Sequence, residues 1–532
     1  YPFCWRCKQP LIFRATEQWF LEVDKKDLRK KALAEIENVR WIPSWGQQRI
    51  HNMVETRPDW CLSRQRAWGV PIPAVYCTQC GHATLDAAVV DKTAEAVRES
   101  GTDVWFEEKV ERFLPEGFKC PKCGESAFEK EEDILDVWFD SSVSQRAVLE
   151  HRPDLSWPCD LYLEATDQHR GWFQVSLLTA MGTRGKAPYR QVLTHGLILD
   201  EKSKKMSKSL GNVIAPKKII DEYGADVLRL LFSSVDYTAD ISFTRGMLKP
   251  LSDAYRKMRN TLRFLMGNLG DFDPGTQRVP EEEMSEIDRW LRARMRQVGA
   301  KVHKAYLDYE FHTIYHQLLE LCTVDLSALY MDAVKDRLYA EAGDDKLRRS
   351  SQSAMYDTAL DFLAMVAPIL CFTAEEVWGY LPADPTRPAS VHMSLLPESG
   401  AKDGDEALLA RWARMRTLRG EVNKAVEAAR NAGTVKSSLD GKATLVCDQD
   451  SWDFLQSFGG TLLDVLKLAS LERADSLGEG ALVSDVVEGL RVMVEPSSDE
   501  KCKRCWNRRP DVGKIASHPE LCTRCVGIIG QL

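Results

Sequence analysis

Leu248, Leu251, Tyr255, Met258, Leu262 and Leu265 recur at three- and four-residue spacing, the pattern of a helix with one buried face. Similar stripes run through 287–306, 312–330 and 355–381, and an amphipathic stretch covers 415–432. Helix after helix without strand signals predicts a helical bundle from about residue 246. Upstream the pattern changes. I-L-D-V-W-F-D-S-S (134–142), L-Y-L-E-A-T-D-Q-H-R-G-W-F (161–173) and V-L-T-H-G-L-I-L (192–199) read as three strand-and-turn units. They alternate with helical runs such as 174–181, which predicts a parallel sheet covered by helices. Active groups in such sheets gather at the carboxyl ends of the strands. Pro71 and Pro73 mark an extended or turn segment, and a small mixed region precedes the tail at about residue 497.

A chain of 532 residues is too long for one core, so several domains are expected. Its 44% hydrophobic and 28% charged content is ordinary for a globular protein. The longest apolar run, Leu360 to Phe372, is interrupted by Asp361 and Pro368, so no membrane span is predicted. The chain begins at Tyr1 without the features of a signal peptide, as if inside a longer protein. A net charge of −8 alone argues against a nucleic-acid partner, but patches are what a polyanion meets. Residues 241–270 hold six Lys or Arg against Asp253, and 501–532 hold seven against Asp511 and Glu520. Each cluster is either a solvated face or a phosphate-binding one.

Ten of fifteen cysteines form five C-x-x-C pairs. In a large chain that lacks the short, loop-rich look of a secreted disulfide framework, such pairs point to zinc and to the cytosol. Zinc takes four ligands in a tetrahedron, and two C-x-x-C turns supply them. Cys77, Cys80, Cys120 and Cys123 make one expected site, with thirty-nine residues between the pairs. Cys502, Cys505, Cys522 and Cys525 make a second, with sixteen. Neither set leaves an open coordination position, so both read as structural. Cys4 and Cys7 remain, either free thiols or half of a site completed upstream.

Asp200 to Asn212 reads D-E-K-S-K-K-M-S-K-S-L-G-N, with four lysines between Lys202 and Lys208. The Gly-rich phosphate loop G-x-x-x-x-G-K-S/T is absent, since Gly211 follows the lysines. A serine- and lysine-rich loop after a buried strand can still close over phosphates, its ammonium groups following charge as it moves.

Residues 205–209, K-M-S-K-S, match the KMSKS signature of class I aminoacyl-tRNA synthetases. S-R-Q-R (63–66) with W-G-V-P (68–71), D-V-W-F-D-S (136–141) and D-Q-H-R-G-W-F (167–173) resemble the branch handling isoleucine, valine and leucine. The tail C-K-R-C-W (502–506) with C-T-R-C (522–525) looks like that of bacterial isoleucyl enzymes. The resemblance covers nearly the whole chain in order. It implies a multidomain α/β plus α architecture: the end of an editing insertion (1–10), parts of a Rossmann-like catalytic domain (11–76 and 136–200), a zinc-ribbon insertion (77–135), the KMSKS and stem-contact region (201–245), an anticodon-binding helical bundle (246–400), a junction domain (401–497) and a C-terminal zinc domain (498–532).

It also implies ATP-dependent attachment of L-isoleucine to its tRNA through an adenylate, with valine and leucine as runners-up and an isolated tRNA-binding fragment as the alternative for this chain by itself, Mg²⁺ accompanying ATP, and a monomer. Lys205 and Lys208 would face the phosphates, Lys208 carrying the ATP-binding role, while Ser207 and Ser209 shape the loop. Glu164 takes the adenylate-contacting position, or is merely a charge at a helix start. Asp167 and Gln168 share that pocket, or Asp167 only caps the helix; Trp60 and Trp138 wall an aliphatic side chain, or are core. The family usually reads Glu-Gly-Ser-Asp where this chain has Glu164-Ala-Thr-Asp167. The companion His-x-Gly-His signature is not in these 532 residues, nor is the body of an editing insertion, so this chain by itself is expected to be catalytically incomplete.

Overall fold

The computed structural model describes residues 1–4, 7–207, 210–397 and 400–530. It divides into two compact units, Tyr1–Leu199 with Thr238–Ile241, and Asp200–Tyr237 with Ser242–Leu532.

The first unit is built on a parallel sheet of β1 (Arg40–Ile42), β2 (Tyr162–Ala165) and β3 (Gln191–His195), with β3 in the middle. Val192 lies opposite both Trp41 and Tyr162, and His195 opposite Ala165. Val192, Leu193 and Thr194 are all buried, as the centre of a covered parallel sheet requires. Helix α1 (Leu28–Ile36) brings Leu28, Ala32 and Ile36 to the core, and α2 (Trp45–Glu55) brings Ile50 and Val54, each at four-residue spacing. The short α3 (Val137–Ser142) precedes α4 (Trp172–Arg184), which is buried without interruption from Phe173 to Met181 and ends at the left-handed Gly185.

Two of the three expected strand units join this sheet. The third does not: only Ile134–Leu135 is extended, pairing antiparallel with Ser63–Arg64. Asp136 then caps α3 by accepting the Trp138 N–H at 3.2 Å, and a capped helix replaces the strand. Its place in the sheet is taken by Arg40–Ile42. The cysteine-bearing insert forms its own sheet from Val75–Cys77, Ala83–Thr84 and Phe128–Lys130, with a core of Val89, Trp105 and Phe113.

The second unit is mainly helical: α5 (Leu248–Gly267), α6 (Glu286–Leu307), α7 (Phe311–Glu320), α8 (Met331–Ala340), α9 (Lys346–Val366), α10 (Cys371–Tyr380) and α11 (Asp405–Asn431). The expected stripe at 312–330 divides where Leu321–Tyr330 widens into a π-helix, which carries the buried Asp325. That carboxylate receives Arg294 at 2.9 Å and Arg416 at 3.0 Å, binding α6 and α11 to the π-helix. The stripe at 355–381 divides before Pro368, which cannot continue a helix. A four-stranded sheet centred on Gly441–Val446 and Arg491–Pro496 follows α11.

Candidate active site and metal centres

Glu164 is the penultimate residue of β2, opposite Thr194, with an exposed carboxylate at the carboxyl end of the sheet. A single turn of 3₁₀-helix, Thr166–Arg170, carries the chain from there into α4. Asp167 in this turn is exposed, and the bond to the start of α4 comes from Gln168, whose Oε1 accepts the Trp172 N–H at 2.8 Å. His169 turns inward and is wholly buried; its Nδ1 lies 3.1 Å from the Thr166 carbonyl, and burial lowers its pKa, favouring the neutral ring.

The two candidate wall tryptophans part company. Trp60 is 6% exposed and donates its indole N–H to Asp136 Oδ2 at 3.0 Å. Trp138 is 40% exposed on α3. The Trp172 indole donates to the Ser141 carbonyl at 3.0 Å and so ties α3 to α4. Trp138, Gln168, Gly171 and Trp172 thus meet at the start of α4, beside the turn that follows Glu164. Gly171 and Trp172 stand in the D-Q-H-R-G-W-F stretch and were not singled out by pattern; a glycine directly before a buried helix was the available signal.

In the second unit, Asp200 and Asn212 staple the lysine loop. Asp200 Oδ1 accepts the backbone N–H groups of Lys202 and Lys204 at 2.9 and 2.8 Å, and its Oδ2 accepts Asn212 Nδ2 at 2.9 Å. The Asn212 bond is the main cause holding the Asp200 carboxyl below its ordinary value. Asn212 Oδ1 accepts the Ser207 N–H at 2.9 Å, and Gly211 takes the left-handed conformation that the closing turn needs. Lys205 is exposed; Lys208 and Ser209 lie outside the described residues.

Both expected four-cysteine sets come together, each with its sulfurs within 4.8 Å of one another. Cys77 and Cys123 sulfurs are 3.5 Å apart, Cys80 and Cys120 3.6 Å, and Cys505 and Cys522 3.9 Å. Zinc–thiolate bonds near 2.3 Å in a tetrahedron place sulfurs about 3.8 Å apart, so both cradles fit zinc. The thiols of each set share their protons unevenly: against the opposing pull of burial, backbone N–H groups bring Cys502 to about 6 and Cys120 to about 7, while Cys505, Cys522 and Cys123 are raised, burial and the neighbouring sulfurs contributing.

Three of these pairs share one turn. The cysteine carbonyl accepts an N–H from the fourth residue on (Gly81, Gly124 or Trp506), which is left-handed, and the cysteine N–H donates to the fifth (His82, Glu125 or Asn507). Cys4 takes the same turn, with Lys8 left-handed and Gln9 accepting at 2.8 Å.

Residues 6–244 match the family of class I tRNA synthetases (I, L, M and V), 288–446 the anticodon-binding domain of tRNA ligase, and 499–526 the zinc finger found in FPG and IleRS. An isoleucine–tRNA ligase of Geobacter sulfurreducens is 48% identical over 99% of this chain. Those of Syntrophotalea carbinolica and Moorella thermoacetica are each 47% identical, over 99% and 100% of it. The chain spans 57% of the length of each of these relatives. Among solved chains, an Agrobacterium radiobacter LeuRS aligns with a TM-score of 0.49 at 16% identity, over 84% of this chain and 53% of that one. By these sequence matches, residues 6–244 resemble the class I tRNA synthetases (I, L, M and V), and the chain is similar along its whole length to part of their isoleucine–tRNA ligases.

Proposed function

We propose that the protein carrying this chain attaches L-isoleucine to its tRNA, using ATP accompanied by Mg²⁺. The observation that carries this reading is near-full-length similarity of the chain to isoleucine–tRNA ligases, with Glu164 to Gln168 at the carboxyl end of a parallel sheet. In the first step an isoleucine carboxylate oxygen attacks the α-phosphorus of ATP, the bond to the β-phosphate breaks, and pyrophosphate leaves. In the second the 2′-hydroxyl of the terminal adenosine attacks the adenylate carbonyl and displaces AMP. No covalent enzyme intermediate is required, so positioning and charge stabilisation dominate.

Lys205 and Lys208 follow the charge moving onto pyrophosphate, with Ser207 shaping their loop. Glu164 and Asp167 hold the adenylate's ammonium or ribose hydroxyls. Trp138 forms one wall of the aliphatic pocket, and Trp60 supports that wall through Asp136. We assign 11–76 and 136–200 to a Rossmann-like nucleotide-binding fold and 246–400 to anticodon binding, where the basic face of α5 meets tRNA phosphates. Zinc held by Cys77, Cys80, Cys120 and Cys123, and by Cys502, Cys505, Cys522 and Cys525, supplies a structural cross-link. Cys4 and Cys7, in the same turn, would contribute half of another such site. We further read the protein as a cytoplasmic monomer.

ATP–pyrophosphate exchange tests the reading. The full-length protein should exchange with isoleucine in preference to valine and leucine, and Lys205→Ala or Lys208→Ala should lower the rate about 10²- to 10³-fold. This chain alone should show no exchange, while retaining isoleucine tRNA on a filter with affinity falling steeply as salt rises. Preference for valine or leucine would overturn the isoleucine assignment.

A further inference from the structure

Gly171 is buried between the turn that follows Glu164 and the first residue of α4. A Cβ there would stand 2.6 Å from Gln168 Oε1 and 2.9 and 3.1 Å from Cη2 and Cζ3 of Trp138. Ordinary carbon contacts begin near 3.5 Å, so the Trp138 ring rests directly on the glycine backbone. Of the two neighbours the Gln168 oxygen is held in place, so the Trp138 ring is the one that must move. The Gln168 oxygen is held by the Trp172 N–H at 2.8 Å. The helix bearing Trp138 is pinned at its start by the Asp136 cap and near its end by the Trp172 indole bonded to Ser141.

We propose that Gly171 is a specificity-determining positioning residue: its missing side chain seats the Trp138 ring and the Gln168 amide against α4 and so fixes the depth of the aliphatic pocket. This rests on the proposed function, which places the substrate side chain against Trp138. The remaining ring surface, 40% of the residue being exposed, is what a branched aliphatic side chain meets. A methyl group at residue 171 pushes the ring outward into that space. The longer isoleucine side chain then loses more contact than valine does. One methylene in such a pocket is worth roughly 10- to 200-fold in discrimination, a range whose reference case is isoleucine against valine.

The test is Gly171→Ala in the full-length enzyme, assayed by ATP–pyrophosphate exchange with isoleucine and with valine. We expect KM for isoleucine to rise about tenfold with a much smaller change in kcat, and the isoleucine-to-valine ratio of kcat/KM to fall by about the same factor. Adding Trp138→Phe, which removes the clashing ring carbons, should recover part of the loss, so the two substitutions are non-additive. If Gly171→Ala proves too unstable to assay, Gly171→Ala/Trp138→Phe is compared with Trp138→Phe alone, and equal isoleucine-to-valine ratios then support the proposal while a further fall overturns it. A folded Gly171→Ala enzyme with unchanged KM and ratio, alongside a Trp138→Ala enzyme that loses both, overturns the proposal and leaves the function standing. Should Trp138→Ala also change neither, the assignment of Trp138 to the pocket falls, and the proposal with it.

Discussion

Trp60 and Asp136, seventy-six residues apart, are joined by an indole-to-carboxylate hydrogen bond of 3.0 Å. The same oxygen accepts Arg64 at 2.8 Å, while the other oxygen caps α3. One buried carboxylate therefore fixes a strand, an arginine and the helix that presents Trp138. Asp136→Ala removes the cap, worth about 1 kcal/mol, and leaves a buried indole N–H without an acceptor, worth about 1–3 kcal/mol more. Urea denaturation should show a loss of about 2–4 kcal/mol, whereas Asp136→Asn, which keeps an acceptor, should lose less. Equal losses for the two variants would contradict this account.

Gly196, immediately after β3, has Ala239 against its Cα: a Cβ would lie 2.2 Å from the Ala239 carbonyl carbon and oxygen and 2.5 Å from the Asp240 nitrogen. Backbone cannot swing aside as a side chain can, and here it is locked by Leu197 N–H to Asp240 at 2.7 Å and Ile241 N–H to the Leu197 carbonyl at 2.9 Å. Gly196→Ala should cost about 3 kcal/mol or more. Gly182→Ala in α4, where a Cβ meets nothing within 4 Å, should be neutral or gain up to about 1 kcal/mol. Thermal melting of the two variants gives the comparison.

Arg296 grips Asp405 through two bonds, Nε to Oδ2 at 2.7 Å and Nη2 to Oδ1 at 2.6 Å, and also reaches Glu281 at 3.1 Å. The Arg296 bond holds the Asp405 carboxyl below its ordinary value. Against burial, Arg296 and Lys402 lower Glu281 as well. Both folded values lie below the unfolded ones, about 3.9 and 4.3, so the unfolded chain takes up protons first as pH falls. The stabilisation is complete above those values and is lost as pH drops through the folded ones. Asp405→Asn should cost about 3 kcal/mol at pH 6, with a smaller difference from the parent at pH 3, read from urea titrations at both. A difference independent of pH would rule this pair out as an acid-sensitive contact.

The long helices were legible because a three- and four-residue repeat such as Leu248 to Leu265 needs only one buried face to declare itself. The cysteine sets were legible because the number and spacing of ligands are written in the chain itself. Arg40–Ile42 was not: three residues become a strand only because Gln191–Leu193, some 150 positions on, supply the partner. Trp60 and Trp138 carry the same side chain, and 6% against 40% exposure is decided by Asp136 and by packing that no local pattern encodes. The helix bond from Gln168 rather than Asp167 depends on the pitch of one 3₁₀ turn. Gly171 and Gly196 look like any loop glycines until the atoms beside them are placed.

The tail cysteines carry an arginine in each pair, Arg504 between Cys502 and Cys505 and Arg524 between Cys522 and Cys525, and both reach the end of α8. Arg504 donates to the Ala340 carbonyl; Arg524 donates to Asp336 at 3.0 Å and to Glu341 at 2.9 Å. Asn507 adds a bond to Asp336 at 3.0 Å. A metal that orders both cysteine turns therefore also orders the two guanidinium groups. Structural zinc stabilises small domains by amounts that exceed their own folding energy, so removing it should release this contact. The chain should carry two zinc ions when Cys4 and Cys7 find no completing pair, and chelation should make the peptide after Pro496 sensitive to protease while α5 to α9 stay resistant. Arg524→Ala should give the same sensitivity with the zinc content unchanged, which metal analysis and limited proteolysis together decide; resistance equal to the parent's would show that the arginines do not hold the tail.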